Sequence, residues 1–379
     1  MHYGSIGRSL FIMDAEHRAY FELALITGIG PQTLQRLLEC FGSAQNVLSA
    51  STDRLLEVEG IGPRLTGLIR HRDPKQADEV LRNCDRFQIR FVLPIQPEFP
   101  ALLRTIPDPP NILFYRGQLS PRDQLSIAII GTRHATQYGK DQATRISYGL
   151  AQAGFTLVSG LARGIDAIAH ETALRNKART IAVLANGLDS IYPPENQELA
   201  QNIVKEGGLL LSEQPPCMPP KRGMFPQRNR LISGLSLGVL VIEAARRSGT
   251  LITARHAAEQ GRDVFALPGP VQSRVSQGCH QLIRDGAILT QCAEDIIESL
   301  GPMVQDAKIA PDRTIRRPAE LQLNEQETTV LNSIEFDATD IDRIIHRSGL
   351  PVARVLSTLS VLESKHLVRR SSGRCFLRC

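Results

Sequence analysis

The chain has 379 residues, a formal net charge of +5, 42% hydrophobic and 22% charged side chains, the composition of an ordinary folded protein with two or three domains. No apolar run approaches a bilayer span, and the N-terminus lacks a charged region followed by an apolar one; a cytoplasmic protein without a membrane segment is expected. Seven cysteines (Cys40, Cys84, Cys217, Cys279, Cys292, Cys375, Cys379) form no CxxC pair, which argues for reduced thiols over a zinc site or a disulfide framework.

Ala19 to Arg70 holds a duplicated pattern. Leu23 to Ile26 leads into Gly28-Ile29-Gly30-Pro31 and then Leu34, Leu37 and Leu38; Leu55, Leu56 and Val58 lead into Gly60-Ile61-Gly62-Pro63 and then Leu65, Leu68 and Ile69. Helix, glycine–hydrophobic–glycine, helix is how a helix–hairpin–helix reads: the glycines permit the hairpin, the isoleucine pins it, and the next helix offers amides to a phosphate. A helical docking domain that keeps its hairpin glycines for packing fits the same pattern. We place this domain at 1–75. From Asp73 to Arg122, prolines at 94, 97, 100, 107, 109 and 110 exclude a long helix. The apolar runs Ile89 to Leu93 and Ile112 to Tyr115 predict short strands that extend the following sheet.

From Leu125 to Leu300, strands alternate with helical stretches. The strands are placed at Ile127–Ile130, Thr156–Val158, Thr180–Leu184, Leu209–Leu211, Val239–Ile242 and Val264–Ala266, so a doubly wound parallel sheet follows, within a core domain at 76–302. Turns with Gly131, Gly160, Gly187 and Gly269 follow strand ends, where open α/β sheets bind ligands. Two adjacent units carry an arginine in or just after the turn: Gly131-Thr132-Arg133, and Ser159-Gly160 followed by Arg163 and Gly164. Each such turn exposes amides and a helix N-terminus and so favours an anion.

The stretch from Pro215 to Ser236 reads as a rigid, extended, proline-braced loop. It carries Lys221, Arg222, Arg228 and Arg230, with Phe225 between them and Asn229 beside them. Basic side chains interleaved with an aromatic suit single-stranded nucleic acid, because charges follow the backbone while a ring stacks on a base. Alternatively Phe225 fills the core and the arginines pair with Glu213 or Glu243; too few acids lie nearby in sequence to neutralise all of these arginines together with Arg133 and Arg163. Residues 303–318 read as a polar linker with Arg313, Arg316 and Arg317. Beyond it, in a domain at 319–379, Ile341 to His346, Ser348-Gly349 and Pro351 to Leu362 give helix–turn–helix, and Leu367-Val368 and Phe376-Leu377 flank the hairpin signal Ser371-Ser372-Gly373. That is a winged-helix pattern. Lys365, Arg369, Arg370, Arg374 and Arg378 make its wing basic, which suits either phosphate contact or a solvated tail on a docking module.

Other chemistries fail on details. The first turn, GTRHATQYG, lacks the second glycine of a dinucleotide fingerprint, no Walker A spacing occurs, and neither HExxH nor GxSxG is present. Asp166 and His170 stand one helical turn apart without a third ligand, which reads as a local hydrogen bond rather than a metal site. Glu243 ahead of Ser248-Gly249-Thr250 suggests a hydrolytic acid, a cap, or a partner for Arg246 or Arg255. No cofactor, metal or catalytic residue is expected.

At these residues the chain resembles the DprA/Smf family of DNA-processing proteins. The matching segments include FPALLRTIPDPPNILFYRG, IAIIGTRHATQYG, LVSGLARGIDAIAH, IAVLANGLDSIYPPEN, LLLSEQPP, FPQRNRLISGLS, VLVIEAARRSGTLITARHAAEQGRDVFALPG and QGCHQLIRDGA, in collinear order across most of Phe99 to Ala287. The resemblance implies an α/β fold: an extended Rossmann-like, doubly wound, mostly parallel sheet flanked by an N-terminal helix–hairpin–helix (SAM-like) domain and a C-terminal winged helix. It also implies a non-enzymatic mediator of natural transformation that binds and protects incoming single-stranded DNA, forms a homodimer and loads the RecA recombinase. DNA contacts are implied at Gly131, Thr132 and Arg133, at Ser159, Gly160, Arg163 and Gly164, and at Lys221, Phe225, Arg228, Asn229 and Arg230. Thr132 stands where serine is usual but keeps the hydroxyl, and Ala185-Asn186 replaces a more glycine-rich turn. The rival readings are a nucleotide-processing Rossmann-like enzyme using the Glu243 region, and a double-stranded DNA regulator working through the winged helix.

Overall fold

The structure, a computed structural model, describes residues 13–301, 307–310, 313–315, 323–335, 339–365, 367–370 and 375–378. The N-terminal part folds as α1 (Ala15–Ala24), α2 (Pro31–Phe41), α3 (Ala44–Ser49), α4 (Thr52–Leu56) and α5 (Pro63–Arg70). Both GIGP sequences form hairpins between helices. Gly28 and Gly60 hold φ of +99° and +84°, which glycine adopts without a side-chain clash, while Pro31 and Pro63 start helices where a missing N–H costs nothing. Ile29 and Ile61 are buried beneath the turns. The helix–hairpin–helix pair is therefore present.

Next comes α6 (Pro74–Phe87), capped by Asp73 and ended by Gln88 at φ +53°. This helix lies in the stretch where prolines are expected to exclude a long helix, and it forms because Pro74 sits at its first position and the next proline is Pro94. Beyond it lie β1 (Arg90–Val92), a short α7 (Ala101–Arg104) and β2 (Leu113–Gly117). The core then runs β3 (Ser126–Ile130), α8 (Gln137–Gln152), β4 (Thr156–Ser159), α9 (Ile165–Arg175), β5 (Thr180–Leu184), α10 (Gln197–Lys205), β6 (Leu209–Ser212), α11 (Met224–Gly234), β7 (Gly238–Val241), α12 (Thr250–Glu259), β8 (Asp263–Ala266), α13 (Gln277–Arg284), β9 (Ile288–Leu289) and α14 (Ala293–Leu300).

These strands form one sheet in the order β1-β2-β6-β5-β4-β3-β7-β8-β9. It is parallel from β6 through β9, while β1 and β2 join antiparallel at one end, β2 pairing with β6. The strand order reverses between β3 and β7, which creates a crevice at their carboxyl ends. Period-2 alternation sorts the β3 side chains: Ile127 and Ile129 pack under α8, α9 and α14, whereas Ala128 and Ile130 face the layer containing Leu231, Ala254 and Cys279. Helices on both faces explain why the parallel strands read as unbroken apolar runs.

The N-terminal helices share a core with the sheet's antiparallel end. Phe21 meets Phe91 at 4.7 Å between ring centroids, Phe91 meets Phe114 at 6.3 Å, and the Asn111 amide donates to the Ile29 carbonyl at 2.9 Å. Where a polar linker is expected, β10 (Ala307–Ala310) and β11 (Arg313–Ile315) pair antiparallel, as their alternating polar and apolar residues permit. The C-terminal part comprises α15 (Glu325–Asn332), β12 (Thr339–Asp340), α16 (Ile341–Ser348), α17 (Val352–Ser364), β13 (Val368–Arg370) and β14 (Cys375–Arg378). It closes around its own apolar cluster, including Val330, Ile344, Val355, Leu359 and Phe376, and is the expected winged helix. In its basic wing, Lys365 pairs with Glu327 at 3.1 Å, and Arg369 and Arg370 are exposed. Arg316, Arg317, Ser371, Ser372, Gly373 and Arg374 lie outside the described residues. Among the described residues no helix is long and apolar enough to cross a membrane.

Candidate nucleic-acid interface

The turns after β3 and β4 interlock because two glycines let their backbones touch. A Cβ on Gly131 would fall 2.6 Å from Ile165 Cγ1, at the start of α9. Gly164 precedes that helix with φ +76° and ψ −125°, and a Cβ there would lie 2.8 Å from the carbonyl carbon and oxygen of Arg133. The Ile165 amide donates to the Thr132 carbonyl at 3.3 Å, and the Thr250 hydroxyl donates to the Gly131 carbonyl at 3.1 Å. The Thr132 hydroxyl accepts from the His134 amide at 3.2 Å. Arg133 is thus presented at the surface from a turn stitched to α9 and α12.

The β4 turn differs from the sequence expectation in one respect. Its amides do not stand bare. Asp166 reaches back from α9 and accepts from Gly160 N at 3.1 Å and Ala162 N at 3.4 Å, while the buried Ser159 hydroxyl donates to the Ile129 carbonyl at 2.6 Å. An internal carboxylate therefore holds the position that a phosphate was expected to take. Burial pushes the Asp166 carboxyl up, and the nearby Arg228 charge pulls against that shift.

Arg228 is itself 8% exposed. Its guanidinium lies where Gly160 has no Cβ, with Cζ 2.7 Å from the position that atom would occupy. Nη1 donates to the Val183 carbonyl at 2.6 Å, and Nε is buried without a hydrogen-bond partner. Burial pushes its pKa down to about 10, Asp166 opposes that shift, and Arg133 adds to it. Asp166 and His170 do not converge as ligands: the His170 ring pairs through Nδ1 with the Thr180 hydroxyl at 2.7 Å. Burial drives the His170 pKa down to about 3, and no group of three potential metal ligands occurs among the described residues.

The basic stretch after β6 is only partly the extended loop expected. Phe225, Arg228, Asn229 and Arg230 lie on α11, and positions 225, 228 and 229 share a helical face. The Arg133 guanidinium sits 5.8 Å from the half-exposed Phe225 ring centroid, within cation–π range. Tyr192, from the loop after β5, lies 5.7 Å from the same ring at a 58° tilt. Phe225 therefore belongs to a surface cluster rather than plugging the core. Tyr192 was visible only as an aromatic beside prolines; its partner lies on another element.

The remaining cations divide. Arg230 is buried and committed to acids, with Nη2 2.6 Å from Glu213 and Nε 3.0 Å from Asp108. Arg163 is exposed, with Nε 2.7 Å from Glu195 Oε1. Glu213 is the acid that the sequence already offers to these arginines, whereas Asp108 and Glu195 arrive from distant segments. Arg133, Lys221 and Arg222 are exposed and form no ion pair among the described residues. The Asn229 amide reaches the Gly249 carbonyl at 3.5 Å. Glu243 is buried and accepts from the Thr136 amide at 3.0 Å and its hydroxyl at 2.5 Å, at the start of α8. It acts as a cap, one of the roles open to it from sequence.

An extended Rossmann-like core with a cationic, aromatic-bearing carboxyl edge, set between a helix–hairpin–helix pair and a winged helix, defines a DNA-processing class of protein. The profile of the family described as DNA recombination-mediator protein A matches residues 90–301, that of the DprA winged helix domain matches 315–374, and that of a SAM-like helix-hairpin-helix tandem matches 21–69. The chain is 37% identical to Protein Smf of Synechocystis over 396 aligned residues, covering 96% of this chain and 99% of that one. It is similar to the X-ray structure of DNA processing protein A from Streptococcus pneumoniae, with TM-score 0.60, 34% identity, and 74% and 97% of the two chains covered. A Helicobacter pylori DNA processing protein A, whose structure concerns its single-stranded DNA binding mode, matches with TM-score 0.51 and 35% identity over 56% of this chain and 96% of that one. The chain belongs to the DprA/Smf family.

Proposed function

We propose that this chain is a non-enzymatic mediator that binds single-stranded DNA along the carboxyl edge of its sheet, protects incoming strands and loads the RecA recombinase onto them during natural transformation. The observation that carries the reading is the cluster of Arg133 over Phe225, with Tyr192 beside it and the buried Arg228 charge beneath. Cations there hold phosphates while the rings stack on bases, and neither contact depends on base identity. The Helicobacter pylori relative's single-stranded DNA binding supports the same ligand. Within the site, Gly131, Thr132, Gly160 and Gly164 shape the turns, Arg133, Lys221 and Arg222 meet the backbone, and Arg228 supplies buried charge. Ser159 and Arg230 act from beneath through their internal partners. The capping role of Glu243 supports binding rather than nucleotide turnover at this edge. A homodimer would present two such edges and gain avidity for long strands.

The test is binding of labelled oligo-dT and of its duplex counterpart across a salt series, with wild type beside Arg133→Ala. Single-strand-selective binding should weaken steeply with salt through counterion release. Arg133→Ala should flatten the slope by about 0.7, the increment for one neutralised phosphate on a single strand. Equal binding by wild type and variant would refute the site.

A further inference from the structure

The loop at 191–196 borders the same edge of the sheet. At one end Tyr192 meets Phe225. At the other, the Asn196 side-chain amide donates to the Leu161 and Ala162 carbonyls at 2.8 and 3.3 Å, which fastens the loop to the β4 turn. Between these anchors, in a 3-10 turn, stands Glu195. One carboxylate oxygen takes both Nε and Nη2 of Arg163. The side chains are 56% and 53% exposed, so water and salt compete with the pair and it opens readily. Glu195's own backbone amide and then Arg163 hold its carboxyl below the ordinary range, so it remains an anion at neutral pH.

We infer that Glu195 stands in for a phosphate on Arg163 and sets an affinity threshold there, which a strand with further contacts passes and an anion held by Arg163 alone does not. The inference rests on the reading that this edge binds a DNA strand. A mononucleotide or inorganic phosphate that captures Arg163 breaks the ion pair and then sits beside a freed carboxylate. A strand meets the same opposition but also engages Arg133 and the aromatic cluster, and these contacts offset it. The pair therefore weakens both ligands alike, and leaves small phosphate esters, which have no further contacts, too weakly held to occupy the edge.

Glu195→Gln, Arg163→Ala and the double variant, each assayed with labelled oligo-dT and with unlabelled dTMP as competitor, test the idea. At low salt Glu195→Gln should tighten oligo-dT binding about threefold to tenfold, from the loss of one competing ion pair and one nearby like charge. Its salt slope should steepen by about 0.7, and dTMP should compete at lower concentration. In the Arg163→Ala background the same substitution should give a clearly smaller gain. An equal gain in both backgrounds would mean that Glu195 acts only through its field and would overturn the proposal; so would no gain, or unchanged competition by dTMP. If Arg133→Ala weakens binding while Glu195→Gln changes nothing, only this inference falls. If the wild-type chain binds no strand, the functional reading falls and takes this one with it.

Discussion

Gly164 offers the sharpest test of how the interface is built. Its backbone, at φ +76° and ψ −125°, is one that L side chains rarely adopt, and a Cβ would lie 2.8 Å from two atoms of the Arg133 backbone. Such a conformation costs a non-glycine residue about 1–3 kcal/mol, and overpacking against atoms that cannot rotate away costs about 1–3 kcal/mol more. Gly164→Ala should therefore lose about 2–6 kcal/mol, a large share of a stability of about 5–15 kcal/mol. Gly67 provides the control, since it lies inside α5 with nothing within 4 Å of its added Cβ; Gly67→Ala should gain about 0.5–1 kcal/mol. Denaturant unfolding followed by circular dichroism measures both, since the chain has no tryptophan. Folded Gly164→Ala protein should also lose oligo-dT affinity, because the two turns must part to admit the methyl group. A loss of stability below about 1 kcal/mol would refute the interlocked-turn argument.

Phe225→Ala should weaken oligo-dT binding by about 1–3 kcal/mol for a lost stacked base while leaving the salt slope unchanged, because no charge is removed. A flattened slope in anisotropy titrations would contradict a stacking role. His170 predicts a pH dependence of stability. Its folded pKa of about 3 lies below the ordinary 6.5, so the unfolded chain binds the extra proton and stability falls as pH drops from 6.5 towards 3. Unfolding at pH 7 and pH 5 should show a smaller loss in His170→Asn than in wild type, and an equal loss would mean that His170 is not buried neutral.

The parallel sheet was legible because each placed strand is an apolar run, four of the six followed by a glycine turn, and because the helices between them restore a 3.6-residue period. Both GIGP hairpins were legible for a similar reason, since glycine and proline positions carry their own backbone geometry. The site was legible only in outline. Asp166 lies within six residues of the amides it caps, yet nothing in LVSGLARGIDAIAH separates a turn open to phosphate from one already satisfied. For Arg230 the sequence leaves pairing with Glu213 and contact with DNA both open, and only the fold, which also brings Asp108 alongside from the proline-rich segment, commits it to acids. Tyr192 and Phe225 meet only because β5 and β6 are neighbours, so that the loops following them share one edge. Long-range juxtaposition, rather than local propensity, decides which polar groups remain available to a ligand.

The antiparallel end of the sheet imposes an order on synthesis. β2 joins the sheet only through β6, with Gly117 opposite Leu209, so its place is incomplete until about 90 further residues have emerged, several seconds at about 5–20 residues per second. β1 reaches the sheet only through β2, and the N-terminal helices meet that hairpin where Phe21 packs on Phe91. The N-terminal helices therefore gain their link to the parallel strands through this end of the sheet only once β6 is in place.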